Sequence, residues 1–173
     1  MRMKAKIYLW TGNGWGKTTS ALGATIRALG HGYKVSVIQF MKGWGSRVGE
    51  VKIAKKLGPK FQLKQFGSKK WIHLKKPSFK DKENAKKGLL AAYSEAKKKP
   101  FLLVLDEINL AVRIGLLKEK EVLAFLDNIN PKTTVYLTGR KATPGLLKRA
   151  DYVNEILCKK KPKPSIAKKG IDY

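Results

Sequence analysis

The run Gly12-Asn-Gly-Trp-Gly-Lys-Thr18 holds the clearest chemistry in the chain. Glycines at alternate positions let backbone N–H groups turn inward around an anion. The Lys17-Thr18-Thr19 entry into a helix adds a mobile positive charge, hydroxyl oxygens and the positive end of the helix dipole. This is the equipment of a phosphate site. A Walker loop reads Gly, four residues, then Gly-Lys-Ser/Thr. Gly16-Lys17-Thr18 fits its end, whereas Thr11 stands where the first glycine belongs. The glycine spacing is G-x-G-x-G, which excludes the G-x-G-x-x-G fingerprint of dinucleotide folds.

Two further sites complete a nucleotide-binding pattern. Asp106 and Glu107 follow the apolar run Phe101-Leu-Leu-Val-Leu105, where carboxylates at the end of a buried strand reach a metal held near Thr18. Asp106 also reads as a helix N-cap. Arg140, after Leu137-Thr-Gly139, is a candidate phosphate contact or a surface arginine beside a turn. His31 and His73 have no Ser or Cys partner at a recognisable spacing, and no residue has a clear claim as general base. Positioning and electrostatics are then the expected catalytic contribution.

Apolar strand-like runs alternate with amphipathic helical ones, as in a parallel sheet covered by helices on both faces. Strands are expected at residues 6–10, 35–40, 61–66, 101–105, 133–137 and 152–157. Helices are expected at 17–29, 47–57, 80–98, 109–114, 118–129 and 144–149. The fold class predicted is α/β, a P-loop NTPase-like (RecA-like) three-layer sandwich with a mainly parallel central sheet. Residues 1–158 form one domain in this reading, with 159–173 a basic, extended tail belonging to it.

The 173 residues carry 38 Lys plus Arg against 12 Asp plus Glu, a net charge of +26. Such a field favours anionic partners. The charge is almost all lysine and is scattered, unlike an arginine-rich recognition segment, so nucleic acid is not the expected partner. No apolar run approaches the ~20 residues of a membrane-spanning helix, and the basic N-terminus is too short in apolar residues for a signal peptide. A cytoplasmic location is expected. One cysteine, Cys158, excludes an internal disulfide.

Several pieces in order resemble the P-loop ATP:corrinoid (cobalamin) adenosyltransferases. They are Thr11-Gly-Asn-Gly-Trp-Gly-Lys-Thr-Thr19, Arg27-Ala-Leu-Gly-His-Gly32, Val37-Ile-Gln-Phe-Met-Lys-Gly43, Gly49-Glu50, Leu105-Asp-Glu-Ile-Asn109, Leu137-Thr-Gly-Arg140, Ala150-Asp151 and Lys169-Gly-Ile-Asp-Tyr173. The resemblance makes the threonine at position 11 the family's own form. It implies that ATP lies reversed in the loop, offering its 5′ carbon to Co(I) of a reduced corrinoid, with triphosphate as the leaving group. Co(I) is itself the nucleophile, which suits a site without a base.

By the same resemblance, Gly12, Asn13, Gly14, Gly16, Lys17, Thr18 and Thr19 hold the triphosphate. Thr18 with Glu107 or Asp106 takes Mg2+, Lys17, Thr18 and Glu107 act in catalysis, and Asn109 and Arg140 contact the nucleotide. Trp15 replaces a loop lysine and covers the nucleotide or faces the corrinoid. Trp71, Phe66 and Trp44 are candidates for the apolar platform beneath the corrinoid ring. An electron-donating reductase of flavodoxin type and a homodimer are the expected partners. Phe66-Gly-Ser-Lys-Lys-Trp71 departs from the family's Gly-Phe-Thr-Trp, with lysine in place of phenylalanine. A P-loop ATPase or phosphotransferase, and a basic nucleic-acid-binding P-loop protein, are the competing readings.

Overall fold

The structure, a computed structural model, describes residues 3–43, 45–68, 73–74, 76–164 and 166–172. Six strands form one sheet: β1 (Ile7–Thr11), β2 (Val35–Phe40), β3 (Phe61–Phe66), β4 (Leu102–Asp106), β5 (Thr134–Thr138) and β6 (Tyr152–Glu155). Their order is β3-β2-β4-β5-β1-β6, and every neighbouring pair is parallel.

Alternation along the strands sorts side chains into two cores. Val35, Val37, Leu102 and Val104 meet α1 (Lys17–Gly30) and the region of α2 (Gly49–Ala54) through Ala21, Ala28, Ala54 and Leu57. Ile38, Phe40, Leu103, Leu105, Val135 and Leu137 meet the helices of the other face. Those are α3 (Phe79–Lys97), α4 (Ile108–Arg113), α5 (Glu119–Asp127) and α6 (Pro144–Arg149). Helices therefore cover both faces, as the buried strands require. Helix α3 lies close enough that a Cβ on Gly88 would stand 2.7 Å from the Phe40 ring. It begins with a capping box in which the Ser78 hydroxyl and the Asp81 carboxylate satisfy each other's backbone N–H groups.

Predicted and observed elements agree in type and order, and one differs substantially in extent. The expected helix at 47–57 is instead a 3₁₀ turn at Gly45–Arg47 followed by the six-residue α2. Val48 offers no side-chain cap, none of the residues of α2 is fully buried, and Gly58 turns the chain at φ 78°. Little holds a longer helix there.

Parallel strands deliver the carboxyl ends of β1, β2, β4 and β5 to one edge, with Thr11, Phe40, Asp106 and Thr138 as terminal residues. Ligands bind at this edge in open α/β sheets. Among the described residues no helix is long and apolar enough to cross a membrane.

Candidate active site

The glycine loop joins β1 to α1, and its three glycines are all obligatory, Gly12 and Gly14 by their close approach to Ile156 and Gly16 by its backbone conformation. Gly12 has φ 95°, and a Cβ there would lie 2.3 Å from the Ile156 carbonyl oxygen; Gly16 has φ 100°. The loop is laced to the chain leaving β6. Ile156 N–H donates to the Thr11 carbonyl at 2.9 Å, and Gly14 N–H donates to the Ile156 carbonyl at 2.7 Å. Cys158 N–H donates to Asn13 Oδ1 at 3.0 Å. The Asn13 carbonyl is thus engaged in fastening the tail. Thr11 Oγ1 accepts the Ala142 N–H at 3.2 Å, tying the loop to the segment after β5. A glycine could not make that bond, which gives the departure from the Walker pattern a local physical reason.

Lys17 is buried, and its ammonium donates to the Gly14 carbonyl across the loop. Burial draws its pKa down, against the nearby Glu107 and Asp106 carboxylates. Trp15 stands out from the loop, 54% exposed.

Asp106 is fully buried and is the hub beneath the loop. One oxygen accepts the Thr18 hydroxyl at 2.8 Å and the Thr138 hydroxyl at 2.6 Å. The other accepts Gln39 Nε2 at 3.0 Å and Lys42 Nζ at 2.7 Å. Burial alone would raise its pKa, but Lys42 and the two hydroxyls hold it below the usual carboxylate value. Asp106 therefore stays ionised. The network continues outward: Gln39 Nε2 also donates to Glu50 Oε1 at 3.0 Å, Gln65 Nε2 donates to Gln39 Oε1 at 2.8 Å, and Gly45 N–H donates to Gln65 Oε1 at 3.0 Å. Both amides are fixed in orientation, since reversing Gln39 would set its oxygen against two carboxylates.

The adjacent acids differ sharply. Asp106 closes β4, whereas Glu107 takes a left-handed conformation, φ 64°, and is itself the N-cap position of α4. Its N–H donates to Thr138 Oγ1 at 3.0 Å, and its side chain borders the cleft. Burial raises the Glu107 pKa, with Asp106 next door adding to the effect and Lys42, Lys17 and Arg140 opposing it. Asn109, fully buried, donates from Nδ2 to the Trp10 and Gly139 carbonyls at 3.1 Å each, clipping the ends of β1 and β5 together.

Gly14, Trp15, Gly16, Lys17, Thr18, Thr19, Glu107 and Arg140 line a cleft of about 450 Å³, joined by Ile171 and Asp172 from the tail. That volume suits a small-molecule substrate. The predicted residues from Gly14 to Thr19, Glu107 and Arg140 are brought together, and Asp106 and Asn109 lie beneath them; Gly12 and Asn13 do not line the cleft but meet the segment after β6, at Ile156 and Cys158. Phe66 packs against the core beside Gly88. Trp71 and Trp44 lie outside the described residues. A second cavity, about 260 Å³, is lined mostly by apolar residues such as Leu22, Ile26, Ile53 and Phe61 between α1, α2 and β3.

Among the described residues no group of three or more His, Cys, Asp or Glu side chains could hold a metal ion. A Mg2+ ion completed by phosphate and water needs fewer protein ligands. The residues fit such an ion: Thr18 gives its proton to Asp106 and keeps a lone pair besides the one that faces Lys42 at 3.5 Å, while the Glu107 carboxylate borders the same cleft. Gln39, Glu50, Thr138 and the tail residues Ile171 and Asp172 were not singled out as site residues by motif, and Lys42 stands out only as one candidate to replace the loop charge that Trp15 removes. The available signal was Gln39, the one side-chain amide in the mostly apolar strand β2, which must find a partner when buried.

The sequence pattern of the family described as ATP:corrinoid adenosyltransferase BtuR/CobO/CobP matches residues 3–173. A corrinoid adenosyltransferase of Pseudomonas aeruginosa is 35% identical, over 96% of this chain and 83% of that protein. One of Salmonella typhimurium is 35% identical over 87% and 75%, and one of Escherichia coli K12 is 33% identical over the same shares. Among solved structures, the assembled type III secretion ATPase EscN aligns with 91% of this chain and 42% of its own, at 16% identity and a TM-score of 0.44. Loop, acidic hub and sequence likeness along the whole described chain agree: the protein belongs to the ATP:corrinoid adenosyltransferase family.

Proposed function

We propose that this protein transfers the 5′-deoxyadenosyl group of ATP to the Co(I) centre of a reduced corrinoid. In the balanced step a Co–C5′ bond forms as the C5′–O bond breaks, cobalt supplies the electron pair, and triphosphate departs with the bonding pair of the broken bond. No proton needs removing. The observation that supports this reading is a phosphate cleft whose buried carboxylate is fully engaged: Asp106 spends its four acceptor positions on Thr18, Thr138, Gln39 and Lys42, so it does not activate water, and the carboxylate that borders the cleft, Glu107, faces Lys17 and Arg140 as a metal-site candidate.

The chain's own residues would work by position and charge. Lys17, released from the Gly14 carbonyl, and the loop N–H groups would hold the triphosphate, and Arg140 would reach it from the β5 side. Thr18 and Glu107 would hold Mg2+, which neutralises charge on the leaving group when bound. Trp15, which lines the cleft, would cover the nucleotide or face the corrinoid. Trp71, Trp44 and Phe66 remain the proposed apolar platform for the corrinoid. A flavodoxin-type reductase, a homodimer and a cytoplasmic setting belong to the same proposal.

Incubation with ATP, Mg2+ and chemically reduced corrinoid tests it. A light-sensitive cobalt–carbon chromophore should form with wild-type protein and be lost in Lys17→Ala. Failure of the wild-type protein to form it, or undiminished formation by the variant, would overturn the reading.

A further inference from the structure

Lys42 follows β2 and reaches under the phosphate loop. Its ammonium lies 2.7 Å from Asp106 Oδ2, 3.5 Å from Thr18 Oγ1 and 3.9 Å from Glu50 Oε1. The side chain is only 15% exposed. A threonine hydroxyl and two carboxylates around one compact cation are the surroundings expected of a divalent metal at the foot of a phosphate loop. Meanwhile the tryptophan at position 15 leaves the loop itself with one cation, Lys17, engaged with the Gly14 carbonyl.

We infer that Lys42 is a resident counter-cation of the triphosphate site, its ammonium standing where a metal would otherwise sit against Thr18 and Asp106, so that the loop accepts polyphosphate before any metal arrives. The inference rests on the triphosphate-binding reading of the cleft and adds the residue that supplies charge there. Ammonium and Mg2+ differ in what they can do. A lysine on its stem can stay with Asp106 and lend its field to a phosphate beside Thr18, but it cannot bridge two oxygens at metal–ligand distance. The two cations are therefore alternatives for the same ground, and removing one should increase dependence on the other. A lysine whose sole work was to neutralise a buried aspartate would affect folding and leave the metal dependence of binding unchanged.

The test measures binding of inorganic tripolyphosphate by calorimetry, in EDTA and in Mg2+, with wild type, Lys42→Met and Lys42→Arg. Wild type should bind without metal. Lys42→Met should lose roughly 10- to 100-fold of its metal-free affinity, the span expected for one charge-assisted contact, and Mg2+ should restore most of that loss. Lys42→Arg should bind within a few-fold of wild type in EDTA. Lys42→Gln, which keeps a neutral donor for Asp106 without the charge, gives the same comparison should Lys42→Met fold poorly, and should show the same metal-free deficit restored by Mg2+. An equal loss with and without Mg2+, or unchanged metal-free affinity, overturns the inference. Adenosyl transfer by the wild-type protein is read separately, so a protein that alkylates corrinoid yet shows no Lys42 effect refutes this inference alone.

Discussion

Replacing Asp106 with asparagine alters the hub with least change in shape. Four donors converge on its carboxylate: two hydroxyls on one oxygen, an amide and an ammonium on the other. Asparagine keeps one acceptor oxygen. That oxygen must face Gln39 and Lys42, which cannot become acceptors, so the new NH2 group faces Thr18 and Thr138, whose hydroxyls can turn. Thr18 then accepts where it used to donate and directs its proton toward the cleft, spoiling the lone pair that a metal would take. Lys42 meanwhile keeps the asparagine oxygen as a neutral acceptor but only Glu50, at 3.9 Å, as a carboxylate partner. Breaking a buried ion pair costs about 3–5 kcal/mol. Because Lys42 is 15% exposed and retains that second carboxylate, the lower end, about 3 kcal/mol, is the expected loss. For a chain of this size this lowers Tm by roughly 6–12 °C. Chemical denaturation gives the stability change, and calorimetry at a temperature where the variant is folded should give about tenfold weaker Mg·ATP binding. A variant within 1 kcal/mol of wild type, by the ordinary scale for a neutral surface change, and binding Mg·ATP equally well, would refute the hub.

Other perturbations separate loop, tail and remote core. Thr11→Gly restores the Walker glycine but deletes the acceptor for Ala142 N–H, so stability should fall by about 1 kcal/mol and nucleotide affinity should fall too; a gain in affinity would show that the threonine is no anchor. Trp15→Lys adds a cation to the cleft wall and should tighten ATP binding several-fold at low salt, with the gain fading as salt rises; titration at two ionic strengths checks it. Glu95 is buried, accepting Lys64 and Lys98 at 2.8 Å each and the Ser36 hydroxyl at 3.0 Å. Although burial opposes it, these partners hold its pKa below the ordinary value. A depressed carboxylate contributes stability above its unfolded pKa, ~4.3, and loses that contribution as pH falls through the folded value. Glu95→Gln should therefore cost about 2 kcal/mol near neutrality, with the gap to wild type closing below pH ~4.5. Thermal melts across pH would show it, and a gap independent of pH would count against the ion cluster.

Much of the fold was legible because its elements obey local rules. The apolar run through β4 and the three-and-four spacing in α3 could hardly be read otherwise, and the parallel direction of the strands follows from alternating strands and helices, though which strand lies beside which does not. The short α2 was not legible: its helical pattern is real, but burial, which decides its length, depends on partners elsewhere in the chain. At the site, the glycine loop and the Asp106-Glu107 pair announced themselves by spacing. Their division of labour did not, because it depends on Glu107 turning left-handed just past the strand. Lys42 reads from the sequence as one candidate for the charge that Trp15 removes, and only the fold sets it beside Asp106. Asn13 reads as a phosphate contact from its place in the loop, yet its carbonyl oxygen meets Cys158. Ile171 and Asp172 reach the cleft from the far end of the chain, a proximity that no local pattern encodes.

Adenosyl transfer and phosphoryl transfer would use the same loop and differ in which bond of ATP breaks. A single-turnover reaction with enzyme in excess, ATP labelled at the γ-phosphate, and reduced corrinoid distinguishes them by its phosphate product. The account predicts intact triphosphate, formed one for one with the cobalt–carbon chromophore and absent when corrinoid is left out. Labelled orthophosphate with ADP, formed equally well without corrinoid, would contradict it.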